Sequence, residues 1–359
     1  IGRPLGIGGI AMAGLIGIIR QAGIIKSALT LAKNELGGKK AATAEPRTQQ
    51  DISMKVVLSV IIAVLVATLF FFQFGVLNNW FQTIIALLIV FVIAFLFTTV
   101  AANAIAIVGS NPVSGMTLMT LILSSLVLVS IGLEGTSGMI AALVIGGVVC
   151  TALSMAGGFI TDLKIGYWLG STPAKQQTWK FLGTLVSAAT VAGVIMILNK
   201  TYGFTDGTLA APQANAMAAV IEPLMSGNGA PWLLYGIGAV IALVLNAFGV
   251  SALAFALGMF IPLELNLPLL VGGAINWFVT SRSKDQAVNN ARSERGTLLA
   301  SGFIAGGALM GVVSAALKWQ NVSFDYAEWW NNPMSELISL GMYCILIIYM
   351  VRASMRAKA

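Results

Sequence analysis

Apolar runs about as long as a lipid bilayer is thick recur from one end of this sequence to the other. They lie at 5–19, 54–75, 81–108, 115–131, 137–160, 179–198, 231–249, 251–263, 266–280, 297–317 and 335–352. A helix needs about 20 apolar residues to cross the hydrocarbon core, and several of these runs reach that length. Of the 359 residues 58% are apolar and only 9% charged, whereas a soluble domain carries roughly a quarter charged. In lipid the backbone must satisfy its own hydrogen bonds, which selects helices for runs of this length. The expected fold is all-α: a polytopic integral membrane bundle with discontinuous or re-entrant helices. It is expected to form one transmembrane domain over residues 1–359, with about 9–11 membrane segments. Runs 251–263 and 266–280 are short and flank Pro262-Leu263-Glu264-Leu265-Asn266. Two geometries satisfy that pattern, a pair of short crossings or one re-entrant hairpin.

The net charge of +7 first suggests a nucleic-acid partner, but its distribution argues against one. All 20 basic residues except Arg3, Lys200 and Lys318 fall in 20–55, 161–180, 281–296 and 351–359. Those segments share one side of the membrane if the eleven runs alternate, and the positive-inside rule makes that side cytoplasmic. The charge excess is therefore a topology signal. Segment 37–53 reads as a cytoplasmic linker and 199–230 as an outer loop, while Trp80, Trp168, Trp179, Trp232, Trp319, Trp329 and Trp330 sit near span ends, where indole rings favour the headgroup region. The localisation expected is a multi-pass protein of the bacterial inner membrane. Residue 1 is Ile, and run 5–19 has no charged segment of the signal-peptide kind before it. Further residues are therefore expected upstream.

The polar residues inside apolar surroundings carry the functional signal. Gly109-Ser110-Asn111-Pro112-Val113-Ser114-Gly115-Met116-Thr117 interrupts two apolar runs. One reading is a helix break lining a transport cavity, with Asn111, Pro112, Ser114, Gly115 and Thr117 bordering substrate; the other is a surface turn. Glu264 is either an intramembrane carboxylate suited to proton coupling or a residue of an outer turn. Loss of water around a carboxylate favours its protonated form. The segment 162–177 holds Asp162, Lys164, Gln176 and Gln177, and Glu294-Arg295-Gly296 precedes another apolar run. These are candidate gating contacts, with a solvated loop and a helix cap as the plainer alternative. Ala211 to Glu222 is rich in small residues and suggests a helix packed closely on a neighbour.

Enzyme chemistry finds no support here. There is no histidine, so His-ligated metal sites and haem are excluded within this segment. Cys150 and Cys344 lie in apolar runs without metal-ligand spacing and read as buried structural thiols. Neither a phosphate-binding loop, a nucleophile elbow nor an H-E-x-x-H pair occurs. No cofactor or metal is expected.

The stretches NPVSGMT (111–117), DLKIGYWLGSTPAKQQ (162–177), APQANAMAAVIE (211–222), GVSALAFALGMFIPL (249–263) with LPLLVGGAINW (267–277), and ERGTLLASGFIAGGALMGV (294–312) resemble the oligopeptide transporter superfamily, which includes the yellow-stripe-like metal-chelate transporters. The resemblance covers about 54–352 in the same order. It implies proton-coupled import of short peptides or metal chelates through a bundle of about sixteen helices arising by internal duplication, with this chain as its C-terminal half. Glu264 departs from the Ser/Thr-rich turn of relatives, so no family role transfers to it. The expected function is a secondary transporter working by alternating access, with peptide or chelate, protons and lipid as partners. The rival is a non-transporting helical scaffold subunit of a membrane complex.

Overall fold

In the computed structural model, the described residues are 2–20, 46–108, 113–204, 212–226, 231–260, 263–322 and 332–357, with Gly23, Lys26, Ser27, Thr30 and Trp329. They form α1 (Gly2–Arg20), a short 3₁₀ turn (Arg47–Gln49), α2 (Met54–Phe71) running into a π turn (Phe72–Leu77), α3 (Trp80–Val108), α4 (Val113–Ser130), α5 (Gly135–Trp168) and α6 (Pro173–Tyr202). There follow α7 (Pro212–Met225), α8 (Trp232–Ala247), α9 (Ala252–Phe260), α10 (Leu263–Thr280), α11 (Gln286–Trp319) and α12 (Pro333–Met355). The chain is all-α and polytopic, as its apolar runs predict. Among the described residues six helices are long and apolar enough to cross a membrane, and three shorter apolar helices, Pro4–Gly17, Gly115–Ser130 and Trp232–Ala247, accompany them. At 1.5 Å per residue, the 34 residues of α5 and the 34 of α11 extend about 51 Å. Both outrun the hydrocarbon core and carry the polar segments 161–168 and 286–296 beyond it.

Two compact units emerge. The first comprises 1–184 and 211–261, the second 185–210 and 262–359. In the first, α4 is the central helix, packed against α1, α3, α5 and α7. Ile7 and Ile10 of α1, Ile89 and Val90 of α3, Leu118, Leu121 and Ile122 of α4, Ala142 and Ile145 of α5, and Val220, Ile221 and Met225 of α7 form one continuous buried cluster. A second cluster joins Phe97 and Ala101 to Met119, Val149 and Leu153. Glycines set the approach of these helices. A methyl group on Gly8 would fall inside the carbonyl of Tyr235, and one on Gly238 inside the carbonyl of Leu5, so α1 and α8 touch backbone to backbone. Gly14 and Gly146 likewise make room for the side chains of Met119 and Leu121. The small-residue segment from Pro212 is the predicted packed helix, α7.

The second unit contains α10, α11 and α12, mutually in contact. Its contacts include Gly296 against Ser354, the Phe303–Tyr349 edge contact at 6.1 Å between ring centroids, the Ser293 hydroxyl donating to Asn276 at 3.3 Å, and the Thr201 hydroxyl donating to the Ala315 carbonyl at 3.4 Å.

Two expectations are corrected. Residues 263–266, expected as a turn, belong to α10, and Pro268 is accommodated inside that helix. Of run 251–263, Ala252–Phe260 is helical among the described residues. Cys344 is exposed on α12 and Cys150 half-buried, so neither is a fully buried thiol; Cys344 belongs to an apolar stretch none of which is buried against protein.

Candidate functional site

The site begins at a break between α8 and α9. Asn246, three residues before Gly249 in an apolar stretch, marks a helix stop. Gly249 adopts a left-handed φ of 76°, its N–H donates to the Asn246 carbonyl at 3.2 Å, and the Val250 N–H reaches back to the Leu245 carbonyl at 2.9 Å. This pair of bonds is the glycine-terminated helix end in which a residue with a side chain would be strained. Ser251 then starts α9. Its carbonyl accepts from the Phe255 N–H at 3.1 Å and its hydroxyl from the Ala254 N–H at 3.4 Å.

A C-terminal helix end and an N-terminal one therefore adjoin, at a break whose residues 247–251 are exposed. Across from them runs α1, and between lies a cleft of about 320 Å³ lined by Ala13, Ile16, Gly17, Asn246, Gly249, Val250, Ser251, Ala252 and Leu253. Last-turn carbonyls and first-turn N–H groups lack intrahelical partners, so such a cleft offers both acceptors and donors to a polar guest. Leu253 connects it to the 109–117 motif: its side chain sits where a methyl group on Gly115 would be, 2.9 Å away. Two sequence motifs more than 130 residues apart thus meet at one place.

The predicted cavity residues are distributed as follows. Asn111 and Pro112 lie outside the described residues. Ser114 is in the first turn of α4, but its side chain lies outside them. Gly115 abuts Leu253, and Thr117 is buried within the packing of α4. Thr120, Ser124 and Ser125 continue this buried hydroxyl series; Thr120 donates to the Met116 carbonyl at 2.9 Å and Ser124 to the Leu121 carbonyl at 3.2 Å. Glu264 is in the first turn of α10, and its side chain is outside the described residues. A further polar pair was not anticipated. Gln73, in the π turn, accepts from the Thr83 hydroxyl at 2.9 Å, and both side chains are buried.

The candidate gating residues separate into two groups. Asp162 forms an ion pair with Lys180, and Gln176 fills the space beside Gly166, its amide 3.4 Å from the Asp162 carbonyl. Lys164 lies over the rings of Tyr167 and Trp168, at 5.7 and 5.4 Å from their centroids. Gln177 does most: its carbonyl accepts from the Ile52 N–H at 2.7 Å and its amide donates to the Asp51 carboxylate at 2.7 Å. Arg47 donates to the Gly170 carbonyl at 2.8 Å, and the Ala174 N–H to the Gln50 carbonyl at 2.9 Å. Segment 46–52 is thus fastened across the α5–α6 turn. Arg47 and Asp51 escaped the sequence reading because a polar stretch after Pro46 has the signature of a linker. Glu294 and Arg295 are both exposed on α11, and neither forms an ion pair among the described residues.

A family model for the OPT oligopeptide transporter proteins matches residues 2–318. The chain belongs to the oligopeptide transporter family. A protein of Haemophilus influenzae described as a candidate oligopeptide transporter is 27% identical over 409 aligned positions, covering 99% of this chain and 64% of that protein. The chain therefore spans somewhat less than two thirds of the length of this curated relative. No solved structure matches significantly. The descriptions of the family and of this relative both name oligopeptide transport.

Proposed function

We propose that this chain is the C-terminal half of a secondary transporter that imports short oligopeptides or peptide-like metal chelates, coupled to protons, by alternating access. The observation that carries the proposal is the α8–α9 break facing α1, with Gly115 against Leu253. Paired helix ends at an interrupted helix are the means by which secondary transporters hold polar substrates inside an apolar bundle. The cleft volume, about 320 Å³, falls at the lower end of the roughly 300–1,000 Å³ of small-molecule sites, a size for a short peptide rather than a folded one. The basic ends of the helices face the cytoplasm in this reading, in a bacterial plasma membrane. The chain contributes one transmembrane domain, whose segment 46–52 and α5–α6 turn act as a cytoplasmic latch.

The test is uptake by the intact protein in proteoliposomes, with di- and tripeptides and metal chelates, under an imposed inward proton gradient. Accumulation that collapses with a protonophore is the expected result. No uptake with any substrate would favour the scaffold reading. Glu264→Gln tests the coupling residue within the same assay: uptake persists with a flattened pH profile if Glu264 carries the proton. A wild-type profile moves the coupling group elsewhere.

A further inference from the structure

The two walls of the cleft differ in chemistry. One is the α8–α9 break, with Asn246, Ser251 and the two helix ends; the other is α1, which contributes Ala13, Ile16 and Gly17 among the described residues. Spaced i, i+3, i+4, these three occupy one face of α1. That face offers two apolar side chains and a bare stretch of backbone. A peptide in the cleft has a different match on each side. Its amides and terminal groups suit the break, where helix ends leave carbonyls and N–H groups without intrahelical partners. A side chain turned the other way meets α1.

The glycines of α1 are used in two ways. Residues 6–10 are all buried; there a methyl group on Gly8 would strike the Tyr235 carbonyl, and one on Gly9 would lie 2.9 Å from the Ala256 Cβ. Gly14 makes room for Met119. These three give their space to the protein. At Gly17 nothing lies within 4 Å of the point where a side chain would begin, yet the residue is half-buried and lines the cleft. A half-buried position with open space before it is the floor of a recess. The side chain that Gly17 lacks is volume left to a guest.

We infer that Gly17 sets the depth of a subsite for one apolar side chain of the transported peptide, bounded by Ala13 and Ile16, while the α8–α9 break holds the peptide's polar backbone. This rests on the reading of the cleft as the substrate site, and it narrows the substrate to short peptides with an uncharged aliphatic side chain at that position. The subsite admits a leucine-sized group because a glycine stands at its floor. One methylene more or less in an apolar pocket changes selectivity by roughly 10–200-fold, so even a small side chain added at Gly17 is read as a change of preference.

The experiment compares uptake of Gly-Gly, Ala-Ala and Leu-Leu by the intact protein in proteoliposomes, for wild type, Gly17→Val and Gly236→Val. Valine is chosen because a β-branched side chain keeps essentially one rotamer in a helix and cannot swing out of the way. Gly236, on α8, also has nothing within 4 Å of a side-chain origin, but it does not line the cleft, so it controls for added bulk. Wild type is expected to carry all three peptides. In Gly17→Val the ratio of Leu-Leu to Gly-Gly uptake at low concentration should fall by about tenfold or more. Melting temperature should hold, since only the cleft lies before the new carbons. Gly236→Val should keep the wild-type ratio, and an equal fall there refutes the subsite. An unchanged ratio in Gly17→Val, or the same loss for all three peptides, overturns the subsite while peptide uptake by wild type keeps the transporter reading. A wild type that carries metal chelates but not Leu-Leu overturns it as well, again without touching that reading. No uptake of any substrate sinks the reading itself and the subsite with it. Should Gly17→Val not be recoverable, Gly17→Ala must lower the ratio by a smaller factor, and a wild-type ratio in that variant refutes the subsite.

Discussion

In the first unit α4 is largely enclosed: Leu118, Met119, Leu121, Ile122 and Leu128 are buried, and so are Thr117, Thr120, Ser124 and Ser125. In the second, the apolar stretch of α12 has nothing buried against protein and that of α11 almost nothing. Both units contain helices apolar enough to cross a membrane, and both are rich in glycine. What differs is how the glycines are used. Gly8, Gly14, Gly146 and Gly238 each receive a neighbouring carbonyl or side chain, whereas Gly302, Gly306, Gly307 and Gly311 have nothing within 4 Å of where a side chain would start. Apolar composition selects lipid as the solvent, but it does not create an interior. An interior needs small residues opposite large ones, or opposite backbone, because lipid tails are as apolar as leucine and provide no drive toward helix association.

The largest effect should come from testing that difference directly. Gly8→Leu or Gly238→Leu must force α1 and α8 apart, since the obstructing atoms are backbone and cannot rotate away. The expected loss is about 3 kcal/mol or more, seen as a large fall in melting temperature and in recovered folded protein. Gly302→Leu and Gly306→Leu should change stability by less than about 0.5 kcal/mol. A large loss at Gly306 would break the comparison, because it would mean that this glycine face of α11 is packed in the intact protein.

A smaller effect is expected where polar contacts replace apolar ones. Gln177→Leu removes at once the acceptor for the Ile52 N–H and the donor to Asp51, and should cost about 1–2 kcal/mol locally. Amide exchange at Ile52 should accelerate by roughly tenfold, with global stability less affected. Arg295→Ala, in the second unit, should cost under about 0.5 kcal/mol, being exposed and without an ion pair among the described residues. Unchanged exchange at Ile52 would mean that segment 46–52 is held by something other than Gln177.

Much of this was legible in the sequence, for a physical reason: membrane spans are set by length and hydrophobicity, both local quantities. Runs 54–75 and 81–108 became helices close to those limits, and run 137–160 lies within the longer α5. Position along the chain was less informative where polar residues cluster. Pro262, Glu264 and Asn266 looked like a turn, yet α10 takes in residues 263–266 and so reaches 18 residues, about 27 Å, close to the thickness of the hydrocarbon core. Of the polar contacts at the α5–α6 turn, the sequence singles out Gln177 but not its partner Asp51, because only folding brings residues 126 positions apart together. The cleft was legible only in part. The motif from Gly249 was visible, but Asn246 and Ser251 acquire meaning from α1 lying across them. The same holds for Gly8, one of 39 glycines, marked out by its partner and not by its neighbours in sequence.

The smallest structural change should have a functional reading out of proportion to its size. At Gly115 the neighbour is the end of a flexible side chain, Leu253 Cδ2, 2.9 Å from where a methyl carbon would sit, and not backbone as at Gly8. Leu253 can rotate, so Gly115→Ala should leave stability within about 1 kcal/mol of wild type. The room for that rotation is the cleft itself, since Leu253 is one of its lining residues. Displacing the side chain into about 320 Å³ removes a sizeable part of the space and shifts any guest held by the α8 and α9 ends. Misplacement by a fraction of an ångström to an ångström is costly for a positioned substrate, and uptake at low substrate concentration should fall about tenfold while expression and melting temperature hold. Leu253→Ala on the Gly115→Ala background should restore uptake toward wild type, because it removes the atoms that were displaced. Two substitutions that each impair transport and together impair it less would tie the 109–117 motif to the α8–α9 break as one site. Additive losses would mean that Gly115 and Leu253 act separately, and that the cleft is a packing gap beside the path and not part of it.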